Sequence, residues 1–272
     1  MIFNNPSQSR ESILILEWGK RSLSFSVFHE QDNRVLTTKV VDHPIDLFDF
    51  TKQDFEKLIK ETEIFAFSFQ KVVCLVDTEL FTLVPNHFFE EEMMEDYLKF
   101  NLNLPSGSLS YQHQTVLSTD YEAIYVLPKA LTDALDSNFL NVEYSVSNLT
   151  LLNYFSRFTQ IENFFEIHFN EDMMSVFYYK ENKLRYYNSF QYLSAEDIIY
   201  HILNVMNELG LDNERELVYY SGLIVEETKN LDLMREYVKF LKPMERSNKI
   251  NYQSDVESMP SHYFIHHYAN CL

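Results

Sequence analysis

Between residues 12 and 41 apolar residues run in short blocks or alternate with polar ones, interrupted twice by brief polar bends. ILILE (13–17) is apolar and β-branched, LSFSVF (23–28) alternates strictly, and RVLTTKVV (34–41) follows the bend HEQDN. This spacing predicts three strands joined as a meander. Successive side chains of a strand leave opposite faces, so Leu23, Phe25 and Val27 are expected to pack inward while Ser22, Ser24 and Ser26 face out. Residues 163–192 (NFFEIHFNEDMMSVFYYKENKLRYYNSFQY) repeat the design: a strand, a sharp polar turn, then a long hairpin.

Elsewhere the period shifts toward that of a helix. A helix starting at Asp49 or Thr51 carries the stripe Phe55, Leu58 and Ile59. QKVVCLVD (70–77) and LFTLVP (80–85) read as strands, and a helix over about 88–101 opens on Glu90, Glu91, Glu92, Glu95 and Asp96, a charge sign that a helix N-terminus favours. LSYQHQTVLS (109–118) and YEAIYVLP (121–128) form a hairpin turning at Thr119-Asp120; a helix and the strand NVEYSVSN follow. After a helix at 148–160 and the second meander, Ser194 caps an amphipathic helix that stops at Gly210. ELVYYSG (216–222) is a buried strand, 226–241 a helix, 243–258 a loop, and 258–271 a last helix. A strand meander with helices, written twice, is an α/β pattern.

At 272 residues, with 46% hydrophobic and 15% aromatic residues, the chain has material for a large core. Its formal charge of −19 repels phosphodiester backbones, which excludes nucleic acid as an expected partner and disfavours an anionic membrane surface. Cys74 and Cys271 form no CxxC pair. The first residues show no basic region followed by an apolar stretch, and no segment nears the ~20 apolar residues that span a bilayer, so a cytoplasmic setting without membrane insertion is expected.

The chemistry-bearing residues gather at the meander turns. Glu17-Trp18-Gly19 joins the first two strands, and His168-Phe169-Asn170 stands at the matching place of the second meander. On these residues the chain resembles the actin-like ATPase superfamily (ASKHA; actin, sugar kinases, heat-shock chaperones). Within it, the chain looks closest to PilM-type pilus-assembly proteins and to the uncharacterised DUF3822 family. The resemblance implies a duplicated, ribonuclease H-like α/β fold, with two β-meander-plus-helix halves around a central cleft. Residues 1–148 are then the first half, with an inserted subdomain at about 70–128, and 149–257 are the second, with helix 258–272 packing back onto the first.

Members of that superfamily place an Asp-x-Gly turn in each half and a Gly-Gly turn against the adenosine. Glu17-Trp18-Gly19 takes the first place, with Lys20, Arg21 and Ser22 in the phosphate-facing hairpin; His168-Phe169-Asn170 takes the second; Ser221-Gly222 takes the adenosine turn. The nucleotide contacts this implies are Glu17, Gly19, Lys20, Ser22, Asn170, Ser221 and Gly222. The departures weigh against them. The chain has four glycines, whereas a backbone phosphate cradle uses glycine to let N–H groups converge. An imidazole at His168 does not anchor hydrated Mg²⁺ as a carboxylate does, and Asp172 substitutes only if the turn is rearranged. For Glu17 two roles stay open: a carboxylate accepting backbone N–H bonds, or a residual nucleotide or metal contact.

His262, His266, His267 and Cys271 include an i, i+4 pair with metal-ligand spacing, but no acidic partner lies in register and no metal site is assigned. No catalytic residue is assigned either. The expected function is a non-catalytic scaffold that binds a protein or peptide segment, with no cofactor. The alternative is a weak ATPase or small-molecule kinase holding ATP and using Glu17 for Mg²⁺. A third possibility is a ligand-free subunit of an envelope or stress-related assembly. Oligomeric state stays open.

Overall fold

The computed structural model describes residues 6–42, 46–158, 161–225 and 228–272. Strands β1 (Ser12–Trp18), β2 (Ser22–His29) and β3 (Arg34–Asp42) form the antiparallel meander that the alternation predicts, and β4 (Lys71–Val76) runs parallel to β1. Three strands, β5 (Phe81–Pro85), β6 (Leu109–Thr115) and β7 (Tyr121–Pro128), then make a separate antiparallel sheet in the order β5-β7-β6. The chain returns to the first sheet with β8 (Val142–Val146), parallel to β4. The second meander is β9 (Asn163–Asn170), β10 (Met173–Lys180) and β11 (Lys183–Gln191); β12 (Leu217–Gly222) lies parallel to β9, and β13 (Phe240–Pro243) parallel to β12. A two-residue strand, β14 (Asn251–Tyr252), adds to the edge of β3.

The duplication is visible in the strand orders. The first sheet reads β14-β3-β2-β1-β4-β8 and the second β11-β10-β9-β12-β13, so each has a meander on one side and two parallel strands on the other. The inserted sheet begins later than expected, at β5, because β4 pairs along its whole length with β1 in the first sheet.

Both faces of β1 are buried. Leu14, Leu16 and Trp18 join a core that runs through Leu149, Leu152 and Phe155 to Phe164 and Phe177 of the second meander, so the two halves share one aromatic seam. Phe155 lies 5.2 Å, ring centre to ring centre, from both Phe164 and Phe177. Ile13 and Ile15 on the opposite face pack with Val256, Phe264 and Tyr268 from the end of the chain. That cover corrects one expectation: Ser24 and Ser26 are not solvent-facing but buried, because the C-terminal segment lies on them and His267 bonds both, Ser24 through Nε2 and Ser26 through Nδ1. In the second half, the helix Ala195–Glu208 buries Ile198, Ile202 and Val205 against Phe165, Ile167 and Val176. Its start is fixed by Ser194 and Asp197, whose side chains and backbone N–H groups satisfy each other.

Several helix limits differ from expectation. The acidic run at 88–93 winds into 3₁₀ turns, and an α-helix forms only over Met94–Asn101, since crowded like charges oppose a regular first turn. The final helix shrinks to Ile265–Ala269 behind Phe264, whose left-handed backbone (φ +56°) swings the chain in beneath β1. The expected loop at 243–258 contains β14 and the short helix Ser254–Glu257. Of the expected helix 226–241, Lys229–Tyr237 is helical and Phe240–Pro243 is strand; residues 226 and 227 lie outside the described ones. No helix among the described residues is long and apolar enough to cross a membrane.

Where β9 and β12 run side by side, two features set local stability. Gly222 has φ +92°, and a Cβ there would sit 1.9 Å from the Phe169 carbonyl oxygen. Ser221 donates a short hydrogen bond to Glu166 and pairs with His168 Nδ1 at 2.8 Å, all three groups being buried. Burial pushes the Glu166 carboxyl well above the usual range, against the opposing pull of the Ser221 hydroxyl, and leaves Oε2 without a partner.

Gly222→Ala is therefore expected to cost about 2–5 kcal/mol, from the backbone strain and the clash together, read as a lowered urea midpoint. For Glu166 the native state holds its proton more tightly than the unfolded chain, so the residue withdraws stability as pH rises above the unfolded value. Glu166→Gln removes that titration. Its melting temperature should match wild type near pH 4 and exceed it progressively toward pH 8; a gap that does not vary with pH refutes the assignment.

Candidate functional site

The two meander turns meet across the cleft. The first consists of Gly19, Lys20 and Arg21, closed by the Gly19 N–H on the Ser22 carbonyl at 2.8 Å. The second falls at Glu171-Asp172, not at His168-Phe169-Asn170, which are the last residues of β9. β9 and β10 pair out to Asn170 and Met173, so only two residues remain to make the corner, and Glu171 takes a left-handed conformation (φ +48°) to do so. Glu17 and Trp18 likewise belong to β1, paired with Ser24 and Leu23.

Side chains of the second turn fill the first. Glu171 Oε1 accepts the Arg21 backbone N–H at 3.0 Å and the Ser22 hydroxyl at 3.1 Å. A Cβ on Gly19 would lie 2.9 Å from the same oxygen, so glycine is what admits the carboxylate. Lys20 Nζ reaches Asp172 Oδ2 at 3.1 Å and Oδ1 at 3.3 Å. Burial opposes the Asp172 charge, but the Lys20 ammonium and the Gln191 amide outweigh it and hold this carboxyl below its ordinary value.

Behind this latch, Glu17 is the centre of a buried polar cluster. Its Oε1 accepts the Ser147 hydroxyl at 2.7 Å and, more distantly, the Asn170 amide at 3.5 Å. Its Oε2 faces Ser24 Oγ at 3.1 Å, His266 Nε2 at 2.7 Å and His267 Nε2 at 3.3 Å. Ser147 begins the fully buried helix Ser147–Phe155, whose N-terminal dipole also favours a carboxylate. Burial penalises the Glu17 charge, yet the two imidazoles hold the carboxyl well below the usual range. His168 lies on the far side of His266, ring centres 5.1 Å apart; burial and that neighbour push it down to about 3, so it is neutral. Burial also lowers His267.

The structure thus divides the seven residues singled out in the sequence. Gly19 and Lys20 line a cleft pocket of about 230 Å³, with Asp46, Asp77, Glu79 and Asp172 among its walls. Ser22 is engaged in the latch. Glu17 and Asn170 meet each other behind it, while Ser221 and Gly222 lie deeper, Ser221 between Glu166 and His168, and the Gly222 N–H on the His262 carbonyl. Asp77, half-buried at the end of β4, is pushed well above the usual carboxylate range by burial and by Glu17, Glu171, Glu79 and Asp172. Glu171, Asp77 and Ser147 escaped the sequence reading. Glu171 and Asp172 carry a signal there, two acids between two strands; Asp77 and Ser147 follow strands whose neighbours only the topology reveals.

Comparison with known proteins places this geometry. A Bacteroides thetaiotaomicron protein with an actin-like ATPase fold and unknown function superposes with a TM-score of 0.76 at 18% identity, covering 94% of this chain and 97% of that one. The PilM-PilN type IV pilus biogenesis complex contains a chain that superposes with a TM-score of 0.62 at 12% identity, covering 97% and 98%. At these identities the likeness establishes the fold, an actin-like ATPase fold. No curated protein matches the chain. The family described as protein of unknown function (DUF3822) matches residues 3–241, and the chain belongs to that family.

Proposed function

We propose that this protein is a non-catalytic scaffold, an actin-like fold that docks a segment of another protein and does not turn over a nucleotide. The observation that carries this reading is the latch. The hairpin donors that would meet a phosphate, the Arg21 N–H and the Ser22 hydroxyl, are already bonded to Glu171 of the opposite half. The pocket beside it sets three carboxylates, Asp46, Glu79 and Asp172, and the Asp77 carboxyl, whose ionisation burial and these neighbours oppose, against one ammonium, Lys20. Such a wall repels a polyphosphate and suits a cationic side chain. This lining and the occupied hairpin donors speak against ATP with Mg²⁺ as the pocket's occupant.

The PilM-PilN structure supports the docking mode, since a protein of this fold is named there in complex with a protein partner. A basic peptide segment is the partner chemistry that this acidic chain favours. The alternative, a weak ATPase using Glu17 for the metal, requires Glu17 to leave Ser24, Ser147, Asn170, His266 and His267.

Isothermal titration with ATP and Mg²⁺ is expected to give no binding heat, and a phosphate-release assay no turnover; micromolar binding with turnover overturns the scaffold reading. Glu17→Ala strips a buried carboxylate from its donors and is expected to lower unfolding free energy by about 3–5 kcal/mol in urea titration. A variant of wild-type stability that has lost an ATPase activity would instead support the enzyme reading.

A further inference from the structure

We propose that Glu17, His266 and His267 form a structural binding site for one divalent transition metal of the zinc class. Glu17 Oε2 lies 2.7 Å from His266 Nε2 and 3.3 Å from His267 Nε2, and the three residues offer donor atoms within 4.8 Å of one another in a fully buried cluster. Two imidazoles and a carboxylate are the donor set that a borderline-soft divalent ion selects over Mg²⁺ or Ca²⁺. Neither the scaffold reading nor the family description assigns this site.

The spacing is close to what such an ion needs. Metal–ligand bonds of about 2.0–2.2 Å in a tetrahedron set donors about 3.3 Å apart. Glu17 Oε2 and His267 Nε2 are at that separation, 3.3 Å; Oε2 and His266 Nε2, at 2.7 Å, need a small opening. The Ser24 hydroxyl, 3.0 Å from His267 Nε2 and 3.1 Å from Oε2, lends itself to the fourth position directly or through a water.

Outer contacts orient two of the three ligands, Glu17 and His267. Ser147 fixes Oε1 and so leaves Oε2 for the ion. His267 Nδ1 is held by Ser26 at 2.8 Å, Ser26 by Thr38 at 2.9 Å, and Thr38 by the Tyr268 hydroxyl at 3.1 Å. A ligating imidazole anchored through its other nitrogen keeps its tautomer and aim. Spacing within 262–271 lacked an acid in register; the fold supplies one from β1, 249 positions away from His266. A closed, buried site suits a structural ion that clamps the C-terminal segment onto β1 and β2.

The test uses the full chain, stripped of metal with chelator in denaturant and refolded with Co²⁺ or Zn²⁺. Expected are one ion per chain by mass spectrometry after gel filtration, the visible absorption of tetrahedral cobalt, and a melting temperature that rises with Zn²⁺ and falls back with chelator. His266→Gln with His267→Gln should abolish retention while circular dichroism confirms the fold. If the double variant does not fold, the wild-type cobalt spectrum decides, since the intensity of its visible bands separates a tetrahedral protein site from the octahedral aqueous ion. Wild-type protein that retains no stoichiometric ion and shows no zinc-dependent melting shift, or a folded double variant that retains the ion undiminished, overturns the proposal. ATP titration is independent of both outcomes.

Discussion

A carboxylate withdrawn from water must find donors, and for Glu17 they come from four parts of the chain. Ser24 stands on the neighbouring strand, Ser147 opens the buried helix, Asn170 ends the first strand of the second half, and His266 and His267 arrive from the chain's end. Each satisfies part of a charge that burial otherwise makes costly. An arrangement that displaced any one of these parts would leave a lone pair or an N–H without a partner. The polar cluster thereby selects one mutual placement of two sheets, a helix and a terminal segment that apolar packing alone would tolerate in several.

The magnitudes separate what holds the halves together from what fills the cleft. Lys20 and Asp172 are both partly solvated, and such a pair contributes at most about 1 kcal/mol. The seam of Phe155, Phe164 and Phe177 is buried, and each side chain of that size contributes roughly 1.5–3 kcal/mol on leaving water. Closure therefore rests on the aromatic seam and the Glu17 cluster. The turn-to-turn contact acts mainly by occupying donors, which is a matter of chemistry more than of stability.

The meanders are legible because the first copy keeps a period-two alternation at Leu23, Phe25 and Val27, and the second repeats its order of apolar strand runs separated by short polar bends. Helix starts marked by Thr51 and Ser194 are equally readable, since capping is local. Long-range cover was not. Ser24 and Ser26 look solvent-facing from their own strand, and only the arrival of His267 makes them interior. Matching His168-Phe169-Asn170 to the Asp-x-Gly turn sets the second corner too early, since strand pairing continues through Asn170. For His266 and His267 the acidic partner lies about 250 positions earlier, at Glu17, which leaves no local spacing to read.

Glu17 and His267 are separated by 250 positions, and β14 completes an edge begun at Arg34. Bringing such distant residues together costs on the order of 5 kcal/mol in loop closure by simple chain statistics. Strands made first on the ribosome thus emerge with a hydroxyl-lined face still wet and with Glu17 lacking its imidazole partners, and they stay so until His266 and His267 follow. The packing of the first sheet therefore waits on residues more than 200 positions later, and the segment carrying His266 and His267 acts as its closing stitch.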